Sequence, residues 1–144
     1  MELYYQQERN ADFFRVCELI RKENKDYVST SDIAKKAVYK NAEMFYLPAN
    51  EIADIINRWK RGLEFTVKST AKQELYKEII KRHKEIDTDG KMDCVMIAKM
   101  IEIQPAPRFY ITEARAVSLY YELLKNNKNA ISNRTKFYNR VFGV

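Results

Sequence analysis

Two prolines one residue apart, Pro105 and Pro107, place the strongest constraint on this chain. Neither offers a backbone N–H, and each pushes the residue before it, Gln104 or Ala106, towards an extended conformation. A helix arriving from the N-terminal side must stop there. Beyond them, Thr112-Glu113-Ala114 reads as a new start, a Thr N-cap followed by an acid in the first turn. Phe109 and Tyr110 lie between stop and start and are large enough to pin the turn against a core. A weaker form of the same device occurs upstream as Ala42-Glu43-Met44-Phe45-Tyr46-Leu47-Pro48.

Around these two turns the apolar residues recur with helical spacing, and three glycines and three prolines in 144 residues leave little room for turn-rich β structure. The expected fold is all-α. Phe13, Val16, Cys17 and Ile20 predict a first helix over about 12–24, with Met1 to Asn10 loosely held before it. Ser31 caps a short second helix facing inward through Ile33, Ala34, Ala37 and Val38. Ile52, Ile55, Ile56 and Trp59 line a third, which ends at Gly62. After a link over 63–68, Thr70-Ala71-Lys72-Gln73 reads as a capping box. The fourth helix that it opens has Leu75, Tyr76, Ile79 and Ile80 inside, and Lys72, Lys77, Lys81, Arg82 and Lys84 outside. Cys94, Ile97, Ala98 and Ile101 mark a fifth helix. Ala116, Leu119, Tyr120 and Leu123 mark a sixth, broken at Asn126 to Asn129. Ser132 then caps a short C-terminal helix with Phe137, Val141 and Phe142 inward.

The pattern repeats. A shift of 64 places Ile33-Ala34-Lys35 on Ile97-Ala98-Lys99, Ala42 on Ala106, Phe45-Tyr46-Leu47 on Phe109-Tyr110-Ile111 and Ile55 on Leu119. The first helices align at a shift of 60, Glu18-Leu19-Ile20 on Glu78-Ile79-Ile80. The expected organisation is a duplicated three-helix unit, with repeats over 1–62 and 63–127 and a basic tail or helix over 128–144. Units this small are marginal alone and are expected to pack on each other. The Pro105-Ala106-Pro107-Arg108-Phe109-Tyr110 motif, set between two helices and present twice, resembles a small protein family of Bacteroidota and their bacteriophages. The resemblance implies a bacterial or phage-infected cytoplasm, or a virion. The first copy departs from the motif, with Asn41 and Glu43 for the prolines and Met44 for the arginine.

Charge points to a partner. Residues 58–84 carry nine Lys/Arg against three Asp/Glu, and residues 125–144 carry five against none. Arg58, Arg61, Lys68, Lys72, Lys77 and Lys81 form the central basic set; Lys125, Arg134, Lys136 and Arg140 form that of the tail. Such stripes attract phosphates without reading sequence, although a charge run is also what a merely solvated face looks like. Arg108 has two readings: a cation tied to nearby helix carbonyls, or a phosphate contact at a helix start. Three helices with a turn before the last resemble a helix-turn-helix, which would put Arg115 near the groove. Glu51 and Asp54 early in the third helix, and the long connection from Val38 to Pro48, count against a DNA reader of that type.

Catalysis is not expected, and neither is a cofactor. His83, the single histidine, lies between Arg82 and Lys84 and reads as a surface residue. Asp87-Thr88-Asp89-Gly90 departs from a calcium loop, with its glycine too early and Ala98 in place of the closing glutamate. Cys17 and Cys94 read as buried, reduced thiols, and no apolar run is long enough to span a membrane. The expectation is a small nucleic-acid-binding accessory protein of packaging or regulatory type, with DNA as the partner. The alternative is a protein-interaction or virion component, a homo-oligomer among its forms, that docks through the Phe-Tyr turns and through Phe137 and Phe142.

Overall fold

The computed structural model describes residues 2–24, 26, 28–63 and 69–126. Lys68, Arg134, Lys136, Arg140 and the expected C-terminal helix lie outside the described residues. Five helices are α1 (Glu2–Glu23), α2 (Thr30–Ala37), α3 (Ala49–Lys60), α4 (Thr70–Ile86) and α5 (Cys94–Glu102). A sixth, α6, covers residues 113–126. The described residues contain no strand, so the all-α expectation stands.

Several local expectations need correction. Helix α1 begins at Glu2, not near Asp12, and its first turns are anchored where Tyr5 donates a hydrogen bond to Glu102 at 2.6 Å. The cap of α2 is Ser29, whose Oγ accepts the Asp32 N–H at 3.1 Å, while Ser31 is already helical. At α4 the N-cap is Ser69, which makes no side-chain capping bond, and Thr70 is the first helical residue. The Thr112 cap is as expected, its Oγ1 accepting the Arg115 N–H at 3.2 Å. Cys17 is buried but Cys94 only half-buried, and both are free thiols.

The two aromatic turns meet at the centre of the fold. Ala42 and Ala106 pair as an antiparallel bridge, each N–H donating to the other's carbonyl at 2.9 and 3.0 Å. The Phe109 N–H donates to Val38 O at 2.9 Å. Phe45 and Phe109 point inward, 6% and 2% exposed, so both rings build the core, while Tyr46 and Tyr110 are half-buried. Tyr46 adopts a left-handed φ of 57°, a costly state for a residue with a Cβ. Asp12 on α1 offsets that cost: its carboxylate accepts the Tyr46 hydroxyl at 2.6 Å, the Glu43 N–H at 2.9 Å and Arg15 at 2.7 Å.

One continuous core draws on all six helices, from Phe13 on α1 to Tyr120 on α6. Helix α3 packs chiefly on α5 and also on α4, α1 packs on α2, and α4 packs on α5. Tyr120 of α6 lies against α1, with Phe14 at 6.1 Å between ring centroids, the Glu18 carboxylate accepting its hydroxyl at 2.8 Å, and Arg21 donating to it at 3.1 Å. Helices α2 and α5 start 64 positions apart, at Thr30 and Cys94, and α3 and α6 do the same, at 49 and 113. Helices α1 and α4 end 63 apart, at Glu23 and Ile86. At that offset buried Val16, Cys17 and Ile20 fall on buried Ile79, Ile80 and His83. The shift of 60 expected from sequence would instead set buried Phe13 and Cys17 on exposed Gln73 and Lys77.

His83 is not a surface residue. It is 4% exposed, and its ring meets Trp59 at 5.6 Å, edge to face. Burial first, then nearby Lys60, hold its pKa below the ordinary 6.5, against the opposing pull of Asp87. Below about pH 6.5 the unfolded chain therefore takes up a proton that the folded chain resists. Stability is expected to fall as pH drops through that value towards the folded pKa. Urea midpoints at pH 7.5 and 5.5 check this, and the difference should shrink in His83→Gln.

Candidate nucleic-acid interface

Lys77, Lys81 and Lys84 of α4 fall on one face because positions three and four apart share a side of a helix. All three are exposed, as is Lys72 on the first turn, which lies on another side of the helix. The end of α3, which meets α4 where Trp59 packs on His83, carries Arg58, Lys60 and Arg61, also exposed, and Lys60 is near enough to His83 to lower its pKa. Among the described residues none of these seven cations forms an ion pair, whereas Arg15, Arg21, Arg82, Arg108 and Arg115 all do. Unpaired cations keep their full attraction for an incoming anion, while paired ones would first have to be released.

Arg82, expected outside, is half-buried. It donates to Glu78 at 3.0 Å and to Gln104 at 2.7 Å, and its guanidinium lies 5.1 Å from the Phe45 ring centroid. Arg108 is similarly committed. Its Nε donates to Phe109 O at 3.0 Å, one Nη to Ile111 O at 3.1 Å and the other to Glu74, and the guanidinium rests against the Tyr39 and Tyr110 rings. It thus secures the proline turn and satisfies carbonyls that the turn leaves open. A phosphate at Arg108 would have to displace Glu74.

Two hollows flank the lysine stripe. A groove of about 850 Å³ is lined by Trp59 from α3 and by Gln73, Tyr76, Lys77, Ile80, Lys81, Lys84 and Glu85 from α4. A shallower hollow of about 410 Å³ holds Tyr39, Glu74, Lys77, Glu78, Lys81, Pro107, Arg108 and Tyr110. Lys77 and Lys81 stand on the ridge between them. The second hollow carries two acids and is a poor seat for a phosphate; the groove has a single acid, Glu85.

No protein-family model, curated protein or solved structure matches the chain. Among the described residues, no group of three His, Cys, Asp or Glu is placed to hold a metal, and no helix is long and apolar enough to cross a membrane.

The structure therefore divides the residues singled out from sequence. Lys77 and Lys81 share the groove rim with Lys84, and Arg58 and Arg61 sit on the adjoining end of α3. Lys72 lies on the first turn of α4. Arg115 and Lys125 are exposed on α6, the helix whose Tyr120 lies on α1. Arg115 faces Glu122 at 3.5 Å.

Trp59 was expected inward but is 37% exposed, with the Lys84 ammonium 5.0 Å from its ring centroid. The signal for this was its place in the last turn of α3, between Arg58 and Lys60, where an apolar stripe runs out of neighbours. A second feature lies on α5. Val95, Met96, Met100 and Ile103 are exposed along α5 and just past its end, by 40–74%. An apolar residue at nearly every position from Cys94 to Ile101 was the clue, since such a helix needs cover on more than one side.

Proposed function

We propose that the protein is a small, non-enzymatic nucleic-acid-binding accessory factor of a phage or bacterial cell, built from a duplicated three-helix unit. The observation that carries the reading is the stripe Lys77, Lys81 and Lys84 along one groove rim, which forms no ion pair among the described residues, with Arg58, Lys60 and Arg61 at the end of α3 also exposed and free of ion pairs there. Phosphates spaced along a strand can engage such a stripe without base-specific contacts. The duplication is supported by element starts 64 positions apart and by the Ala42–Ala106 bridge, which joins the two residues that this shift superposes. A packaging or regulatory role suits a binder that holds the backbone and leaves sequence unread.

The test is fluorescence anisotropy with labelled random-sequence DNA, duplex and single-stranded. If three lysines each neutralise a phosphate, raising salt from 50 to 200 mM should weaken duplex binding by roughly 40-fold. Lys77→Glu/Lys81→Glu should weaken it at least tenfold at the lower salt, with helical content unchanged by circular dichroism. Binding that is indifferent to salt and to the charge reversal would overturn the reading.

A second reading, a protein-interaction or virion component, is favoured by the exposed Val95, Met96, Met100 and Ile103. Contiguous apolar surface of this kind marks interfaces, and methionine adapts to varied partners. It differs from the surface expected from sequence, of which Phe45 and Phe109 are buried and Phe137 and Phe142 lie outside the described residues. If no DNA binds at low salt, α5 is the face to pursue.

A further inference from the structure

We infer that the groove between α3 and α4 seats single-stranded nucleic acid, with a base stacked on Trp59 and phosphates held by Lys77, Lys81 and Lys84. This rests on the nucleic-acid reading above and narrows it to one form of the ligand.

The corresponding place on the other side of the fold shows what is unusual here. At the helix offsets of 63 and 64, Lys77, Lys81 and Lys84 fall on Phe14, Glu18 and Arg21, and Ile56 falls on Tyr120. Between α1 and α6 the protein fills that space with its own side chains. Phe14 packs on Tyr120, whose hydroxyl is held by Glu18 and Arg21, with Arg21 also over the ring at 5.5 Å. In place of the tyrosine α3 has Ile56, a core residue outside the groove lining, and in place of Phe14 α4 has Lys77. Lys77 lines an open groove of about 850 Å³ with an apolar floor of Trp59, Tyr76 and Ile80 and a cationic rim.

A duplex presents phosphates outward and keeps its bases stacked, so it can use the rim but not the floor. A single strand offers both a flexible anionic backbone and free π-faces, the combination that single-strand-binding grooves use. The three lysines span eight residues of helix, a rise of about 10 Å from first to last, enough to follow a strand rather than hold one isolated anion. The Lys84 ammonium already lies over the indole. Exposed contacts of this kind are weak, so a base can take the ring face while the ammonium turns to the phosphate.

Trp59 is the single tryptophan of the chain, so its fluorescence reports on the groove directly. Titration of the full chain with a dT12 oligonucleotide at 50 mM salt should quench that emission, and dT12 should bind tighter than a 12-base-pair duplex. Trp59→Ala should weaken dT12 binding at least tenfold in anisotropy and leave duplex binding within twofold. Trp59→Phe, which keeps a stacking ring and the packing against His83, should restore most of the affinity and so separates lost stacking from lost folding. Salt-sensitive, Lys77- and Lys81-dependent duplex binding with neither quenching by dT12 nor an effect of Trp59→Ala would overturn this inference and leave the broader reading intact. Absence of binding to either DNA would overturn both. In that case quenching by an acidic amphipathic peptide would assign the groove to a protein partner.

Discussion

Phe109→Ala is expected to destabilise the fold by about 3–5 kcal/mol, the range for deleting a buried phenyl ring and leaving the surrounding core only partly able to collapse. Phe109 is 2% exposed and meets Phe13 edge to face, with ring centroids 5.5 Å apart. Its backbone is held as well, by the Phe109 N–H to Val38 O bond and by the neighbouring Ala42–Ala106 pair. The ring therefore joins α1 to the turn from which α6 departs, and its loss reaches both. Since a domain of this size has a net stability of only about 5–15 kcal/mol, the variant should show a sharply lowered urea midpoint. Phe45→Ala should cost less, because Phe45 is covered by Tyr110, stacked at 6.0 Å, and by Arg82, both of which can shift into the space. A loss below about 1.5 kcal/mol for Phe109→Ala would mean that the turn is not the centre of the core.

Asp12→Ala is expected to cost about 2–4 kcal/mol, through unsatisfied partners rather than lost volume. The carboxylate is 3% exposed at its side chain and accepts from Glu43 N–H, Tyr46 Oη and Arg15. Arg15, about half exposed, can return to water, but the Glu43 N–H and the Tyr46 hydroxyl lose their acceptor in a half-buried setting. The left-handed backbone at Tyr46 then has nothing to offset its strain. Asp12→Asn keeps an acceptor oxygen and should recover about half of the loss, as charge-assisted bonds are roughly twice as strong as neutral ones. Chemical unfolding of both variants decides the matter; equal losses would show that the charge of Asp12, not its place as an acceptor, is what counts.

Much of the fold was legible because it depends on local chemistry. Ile97, Ala98 and Ile101, or Ile52, Ile55 and Ile56, show the helical period outright, and all are buried as that period requires. The stop at Pro105 and the Thr112 cap follow from missing donors and an available hydroxyl. The start of α1 was not legible. Its first ten residues are mostly polar and show no apolar stripe, and what anchors that end includes the Tyr5–Glu102 bond, a contact across 97 positions that no local pattern contains.

The same division runs through the candidate site. Sequence alone determined that the helices exist, that Phe45 and Phe109 sit in turns between them, and that basic charge gathers near residues 58–84, because periodicity, backbone chemistry and formal charge are properties of neighbours along the chain. Tertiary structure alone decided which cations remain available. Arg82 looks no different in sequence from Lys81, and Arg108 could equally have been tied to carbonyls or left for a phosphate, yet Glu78, Gln104, Glu74 and two backbone carbonyls have claimed them. It decided as well that Trp59 is exposed while His83, packed against it, is buried, and that Trp59 and the lysines of α4 line one groove. Burial and pairing depend on what distant segments bring to a residue, and that is settled only when α3, α4 and the two aromatic turns pack together.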